Sequence, residues 1–226
     1  MAIIRKGQPG ITRIVPHWQN RRFAVPESIG PVNLLLVGDS WTDDTYSHGQ
    51  YPATWPTGDR ITVVNEGVSS LPISAAAGGS NSMESTVAGH LSSNPETDIC
   101  VVCSGGINDF SVSVTNDEIT DAAKAIYASI TAAGAKMVMV GLPRSSSWVS
   151  NGNNGRAEDI EEEYRSWFSA RGVPFVPLKP LISNDSGIYT AYAEDPLHLN
   201  EEGAAVLGQA ILQAVKATKY RKAGAV

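Results

Sequence analysis

Ser40, Asp195 and His198 are the residue types of a nucleophile, an orienting acid and a base, the set that carries an acyl group from an ester to water. Serine is a weak nucleophile until a base takes its proton, and imidazole is suited to that exchange near neutral pH. His198 is one of four histidines, and the only one with an acid three residues earlier at a loop-to-helix junction. At that spacing Asp195 can hold one ring nitrogen and leave the other facing Ser40, with Pro196 stiffening the turn between them. Two more residues can supply donors to a developing oxyanion. Gly67 has no side chain, so its N–H can approach a substrate closely, and Asn108 carries a side-chain N–H. Each residue also has a plain structural reading. Asp39 or Ser40 can cap a helix, as can Asp195 and His198 before the last one; Gly67 can be a turn residue and Asn108 an Asx turn.

The elements around these residues favour the chemical reading. Residues 32–37 (VNLLLV) form a short, nearly all-apolar run, the pattern of a parallel strand buried on both faces, and it stops at Gly38-Asp39-Ser40. Further strands are expected at 61–64, ending at Asn65-Glu66-Gly67, at 98–103, at 136–140 and at 173–176. Helices are expected at 82–91, at 116–133 with Thr115 or Asn116 as cap, at 157–170 and at 201–219. Strands alternating with helices imply right-handed crossovers and a parallel sheet: a three-layer α/β/α sandwich, five strands in the flavodoxin-like order 2-1-3-4-5. All strand ends then share one edge, which brings Ser40, Gly67, Asn108, Asp195 and His198 to a single rim. Two long loops, 143–155 with Trp148 and 177–195, fall on the same rim.

The rest of the composition narrows the partners. With 226 residues, 42% of them hydrophobic, the chain fits one large domain over 32–226 preceded by an arm at 1–31. The arm holds four prolines, three glycines and the basic patch Arg21-Arg22, and it is a candidate attachment to a larger assembly. A net charge of −6 argues against nucleic acid and anionic membranes as partners. No apolar stretch approaches the ~20 residues of a membrane span, and no apolar segment follows Arg5 and Lys6 as in a secretory signal. The expectation is a cytoplasmic start, with later export or particle association open. Cys100 and Cys103 lie inside the apolar run 99–103, so they read as buried core residues on opposite strand faces rather than a redox pair or zinc site. Asp43, Asp44 and Asp109 read as solvated or hydrogen-bonding groups, and no metal or cofactor is expected.

Four blocks, in order, resemble the SGNH (GDSL-type) hydrolase family: Val37-Gly38-Asp39-Ser40, Val63 to Ser69, Gly106-Ile107-Asn108-Asp109, and Asp195-Pro196-Leu197-His198 running on to Gly203. The similarity spans about residues 32–219. It implies an α/β/α sandwich and a metal-free serine esterase, with Ser40 as nucleophile, Asp195 and His198 as its partners, and the Ser40 N–H, Gly67 and Asn108 as oxyanion donors. Two positions depart from the family pattern: Trp41 follows the serine, and Ser70 stands where a second glycine is common. The chain has no G-x-S-x-G, which argues against the α/β-hydrolase fold.

The expected reaction is hydrolysis of short-chain carboxylic esters. The polar rim loops favour O-acetyl groups on carbohydrate, with a small acylated substrate, such as an acetylated glycan, as partner. Asp39, Trp41, Asp109 and Trp148 are the residues expected to touch it, although Trp148 reads equally as a core anchor for its loop. A lysophospholipase, thioesterase or arylesterase, and a carbohydrate-binding module with a relict site, remain as alternatives.

Overall fold

The computed structural model describes residues 31–45, 49–55, 60–103 and 108–220. The arm expected at 1–31, apart from Pro31, lies outside them, as do Gly106 and Ile107. Five parallel strands form the central sheet: β1 (Val32–Gly38), β2 (Ile61–Gly67), β3 (Ile99–Cys103), β4 (Lys136–Val140) and β5 (Phe175–Val176). Their spatial order is β2-β1-β3-β4-β5, as the alternation of elements implies. In register, Gly38 of β1 lies opposite both Gly67 of β2 and Cys103 of β3, so three strands finish level at one edge.

Period-two alternation divides the sheet residues between two apolar layers. Leu34, Leu36, Val101, Cys103, Val138 and Val140 pack under α5 (Glu201–Tyr220), which contributes Leu207, Ile211 and Val215. Leu35, Val37, Cys100, Val102, Met137 and Met139 face the other way. They meet α2 (Met83–Ser93), α3 (Asn116–Ala132) and α4 (Asn153–Ser169), which follow a one-turn α1 (Ala75–Gly78). The two cysteines are therefore buried thiols on opposite faces, not joined by a disulfide. Burial pushes the Cys100 thiol well up.

Helix starts show where side chains decide the boundary. Thr115 caps α3 in a reciprocal capping box with Glu118. Helix α4 begins at Asn153 rather than near 157. The Asn-rich run before it reads as loop, but the Asn154 side chain exchanges hydrogen bonds with the backbone of Ser145 at 2.9 Å each way, and this tertiary tie fixes the first turn. The loop after β5 also carries structure, a small antiparallel hairpin of β6 (Ser183–Asn184) and β7 (Gly187–Ile188). Among the described residues no helix is long and apolar enough to cross a membrane.

Candidate active site

The turn that carries Ser40 is built by the residues on either side of it. A Cβ on Gly38 would collide with the Thr42 side chain, so glycine is what lets the chain fold back at the end of β1. Asp39 then caps a single helical turn. Its carboxylate accepts the Trp41 N–H at 3.2 Å, and its carbonyl accepts those of Thr42 and Asp43 at 2.9 and 3.0 Å. Ser40 stands at the start of this turn, partly exposed at the sheet edge.

The end of β2 is sewn to that turn. Asn65 donates to the Thr42 carbonyl at 2.7 Å, and Val68 donates to the Gly38 carbonyl at 3.0 Å. Asp43 accepts the Ser69 N–H at 2.8 Å and both the N–H and hydroxyl of Thr45. Burial pushes the Asp43 carboxyl up, but these donors outweigh it and hold it below its usual range. Gly67 is required because a Cβ there would sit 2.6 Å from the backbone of Thr42 and Asp43. Its N–H, however, is taken by the Asn65 side chain at 3.0 Å. Gly67 thus packs tightly, and its N–H has a partner in the resting site. Ser70, next along, adopts the left-handed conformation with φ 65°.

His198 lies at the foot of a tight loop. Ala193 bridges Leu199, and Glu194 donates to the His198 carbonyl at 2.9 Å. At the tip, one oxygen of Asp195 accepts the N–H groups of Leu197 and His198 at 2.7 and 2.8 Å. The other oxygen lies 2.7 Å from Nδ1 of His198. Burial pushes the Asp195 carboxyl up, and the two N–H groups and the imidazole more than offset this, holding it below the usual carboxylate range. An ionised carboxylate can only accept, so Nδ1 carries the proton and Nε2 is left as an acceptor. Nε2 lies 3.1 Å from Oγ of Ser40. Residues 158 positions apart thus form one line of hydroxyl, imidazole and carboxylate. Capping of α5 falls instead to Asn200, which accepts the Gly203 N–H at 2.9 Å.

Two side chains hold this loop by consecutive carbonyls. Ser145 donates to the Pro196 carbonyl at 2.8 Å and Trp41 donates to that of Leu197 at 2.9 Å. Behind Ser145, the buried guanidinium of Arg144 pairs with Glu161 at 3.0 Å. Burial raises the Glu161 carboxyl above its usual range despite the guanidinium beside it. Sequence spacing gave no signal for Ser145, Asn65 or Arg144, whose roles depend on contacts between distant segments.

Asn108 reaches the same rim. Its side-chain nitrogen donates to the Asp39 carboxylate at 3.3 Å and to the Leu71 carbonyl at 3.2 Å, both long bonds. The four residues expected to touch substrate are buried and engaged elsewhere. Asp39 is fully buried, capping its own turn. Trp41 is buried with its indole N–H given to Leu197. Asp109 is fully buried and accepts the N–H groups of Ile73 and Ser74 at 2.8 and 3.0 Å. Burial raises its carboxyl above the usual range, those two donors offsetting only part of the effect. Trp148 is the core anchor, its ring set edge-on to Phe110 at 5.1 Å. All four support the site, Asp39, Trp41 and Asp109 through hydrogen bonds and Trp148 through ring packing.

The sequence pattern of the GDSL-like lipase/acylhydrolase family matches residues 36–206. No curated protein matches the chain. Among solved structures, the chain is similar to a GDSL-like lipase from Bacteroides thetaiotaomicron: 16% identity over 84% of this chain and 92% of that one, TM-score 0.66. It is also similar to an acetyl xylan esterase, with 15% identity over 81% and 100% of the two chains and a TM-score of 0.63. The corresponding values for TesA are 18%, 82%, 99% and 0.62. At these identities the likeness is one of fold.

Proposed function

This chain belongs to the GDSL-like lipase/acylhydrolase family, and from there we propose that it is a serine esterase that removes short acyl groups, foremost O-acetyl groups on carbohydrate. The observation that carries the reading is the continuous line from Ser40 Oγ to His198 Nε2 and from Nδ1 to Asp195, at 3.1 and 2.7 Å. Ser40 attacks the ester carbonyl and its proton passes to Nε2. The alcohol leaves with that proton, giving an acyl-enzyme. Water then loses a proton to Nε2 and attacks the acyl carbon. The carboxylic acid departs as Ser40 recovers its hydrogen.

The oxyanion is served by the Ser40 N–H and by Asn108. The long Asn108 bonds, at 3.2 and 3.3 Å, are ones a nearby anion can draw away. The third donor in this reading is the Gly67 N–H, which rests 3.0 Å from the Asn65 side-chain oxygen and would exchange that partner for the oxyanion. The sugar-ester preference is supported by the hydroxyl- and amide-rich loops at 145–147 and 184–190 and by the likeness to an acetyl xylan esterase.

The test is hydrolysis of p-nitrophenyl acetate by wild type and Ser40→Ala. The variant is expected to lose at least ~10³-fold in kcat, and equal rates would remove the enzymatic reading. Faster cleavage of p-nitrophenyl palmitate than of the acetate would overturn the short-acyl part alone.

A further inference from the structure

A groove of about 470 Å³ is lined in part by Asp195 and Pro196, next to His198 in the chain. That is within the ~300–1,000 Å³ range of small-ligand sites. It is walled by the β6–β7 hairpin, by Ser146 after the Arg144 anchor, and by the segment leading to Asp195 and Pro196. The Asp195 side chain, 38% exposed, lines this groove and also holds the imidazole. The groove therefore begins one imidazole ring and two hydrogen bonds away from the Ser40 hydroxyl, the distance of a neighbouring group in the same substrate molecule.

The lining has a chemical character. Tyr189 supplies an aromatic ring, half-buried and steadied edge-on against Tyr192 at 6.1 Å. Asn184, Ser186 and Thr190 are exposed and offer an amide and two hydroxyls, and Glu194 stands beside Asp195 as a second carboxylate. Ile188, Ala193 and Pro196 add apolar surface, but an acyl chain filling the groove would still desolvate these polar groups without pairing them, and a phosphate or other anionic head would meet two carboxylates. A neutral sugar satisfies both demands. Its C–H face covers the ring of Tyr189 and its hydroxyls donate to the carboxylates and exchange bonds with the rest.

Resting on the esterase reading of Ser40, we infer that this groove is a subsite for the sugar unit next to the acylated one, with Tyr189 as its platform. The enzyme then prefers an oligosaccharide ester to a monosaccharide ester, a preference the Ser40 line itself does not create.

The experiment compares p-nitrophenyl acetate with neutral acetylated xylan-, mannan- and glucan-derived sugars of one, two and three units. Wild type, Tyr189→Ala, Tyr189→Phe and Thr190→Trp are assayed. In wild type, kcat/KM is expected to rise about tenfold from one unit to two in at least one series, mainly through KM. Tyr189→Ala removes that gain and Tyr189→Phe, which keeps the ring, retains it. Thr190→Trp, which fills the groove and leaves Tyr189 in place, also removes it. All three variants keep wild-type kcat/KM on p-nitrophenyl acetate within about twofold, since that ester is too short to reach the groove. Absence of a length gain in every series, or a gain that survives both Tyr189→Ala and Thr190→Trp, would overturn the subsite. Neither result touches the esterase reading, which fails only if Ser40→Ala remains active.

Discussion

The indole N–H of Trp41 donates to the carbonyl of Leu197 at 2.9 Å, so the residue after Ser40 holds the backbone of the residue before His198. Two segments that have to stay within a hydrogen bond of each other are tied by a second one, independent of the reacting atoms. Trp41→Phe keeps a buried ring and leaves that carbonyl without its donor. The expected cost is about 1 kcal/mol of stability and roughly a tenfold fall in kcat, with KM little changed, because misplacement of the imidazole affects proton transfer more than binding. Thermal melts beside steady-state kinetics on p-nitrophenyl acetate check both.

Asp195→Asn tests the tautomer. The remaining side-chain oxygen can still accept the N–H groups of Leu197 and His198, so the loop is kept. The new amide faces Nδ1 with a donor and forces the ring proton onto Nε2, where it blocks acceptance from Ser40. A loss of ~10³–10⁴-fold in kcat with only a modest fall in melting temperature is expected. Activity within tenfold of wild type would show that the acid does not set the ring.

Asp109→Ala deletes the acceptor for two backbone donors, Ile73 and Ser74. Leaving both buried and unpaired costs about 2–4 kcal/mol, which urea denaturation would read as a lower midpoint. Because Asn108 precedes it in the same 3-10 turn, kcat falls as well even where the protein remains folded.

Acid stability follows from Asp43 and Asp195. Both carboxyls are held below their usual value of 3.8 by donors that outweigh the effect of burial. A folded-state value below the unfolded one gives stability that is fully present above the unfolded value and lost as pH falls through the folded one. Melting temperature should therefore drop from pH about 5 to about 2.5, and the drop should be shallower in Asp43→Asn than in wild type. An identical slope would mean that other groups carry the acid sensitivity.

Much of this arrangement is legible in the chain, and the reason is topological. A parallel sheet delivers every strand end to one edge, so runs such as 32–37 and 99–103, each followed by glycine or a polar residue, locate the rim without any side-chain geometry. The spacing of Asp195 and His198 is likewise local, since the intervening turn is closed by Asp195 itself. What the chain does not disclose is which polar groups remain open. Gly67 reads as a free N–H until Asn65, two residues back, is seen to occupy it. Trp41 and Trp148 read as rim aromatics, yet large rings gain most from burial and both are taken into the core. Tyr189 passes unnoticed in a polar loop because only the β6–β7 hairpin turns it into a wall.

Helix α5, which packs across β3, β4 and β5 on one face of the sheet, directly follows the loop of His198. Ribosomes emit residues in order, so a nascent chain leaves Val101, Val138 and Val140 uncovered until this helix appears. The base arrives with the same segment. On the proposed reading, a polypeptide shortened before His198 and this helix would be sticky and inert at once.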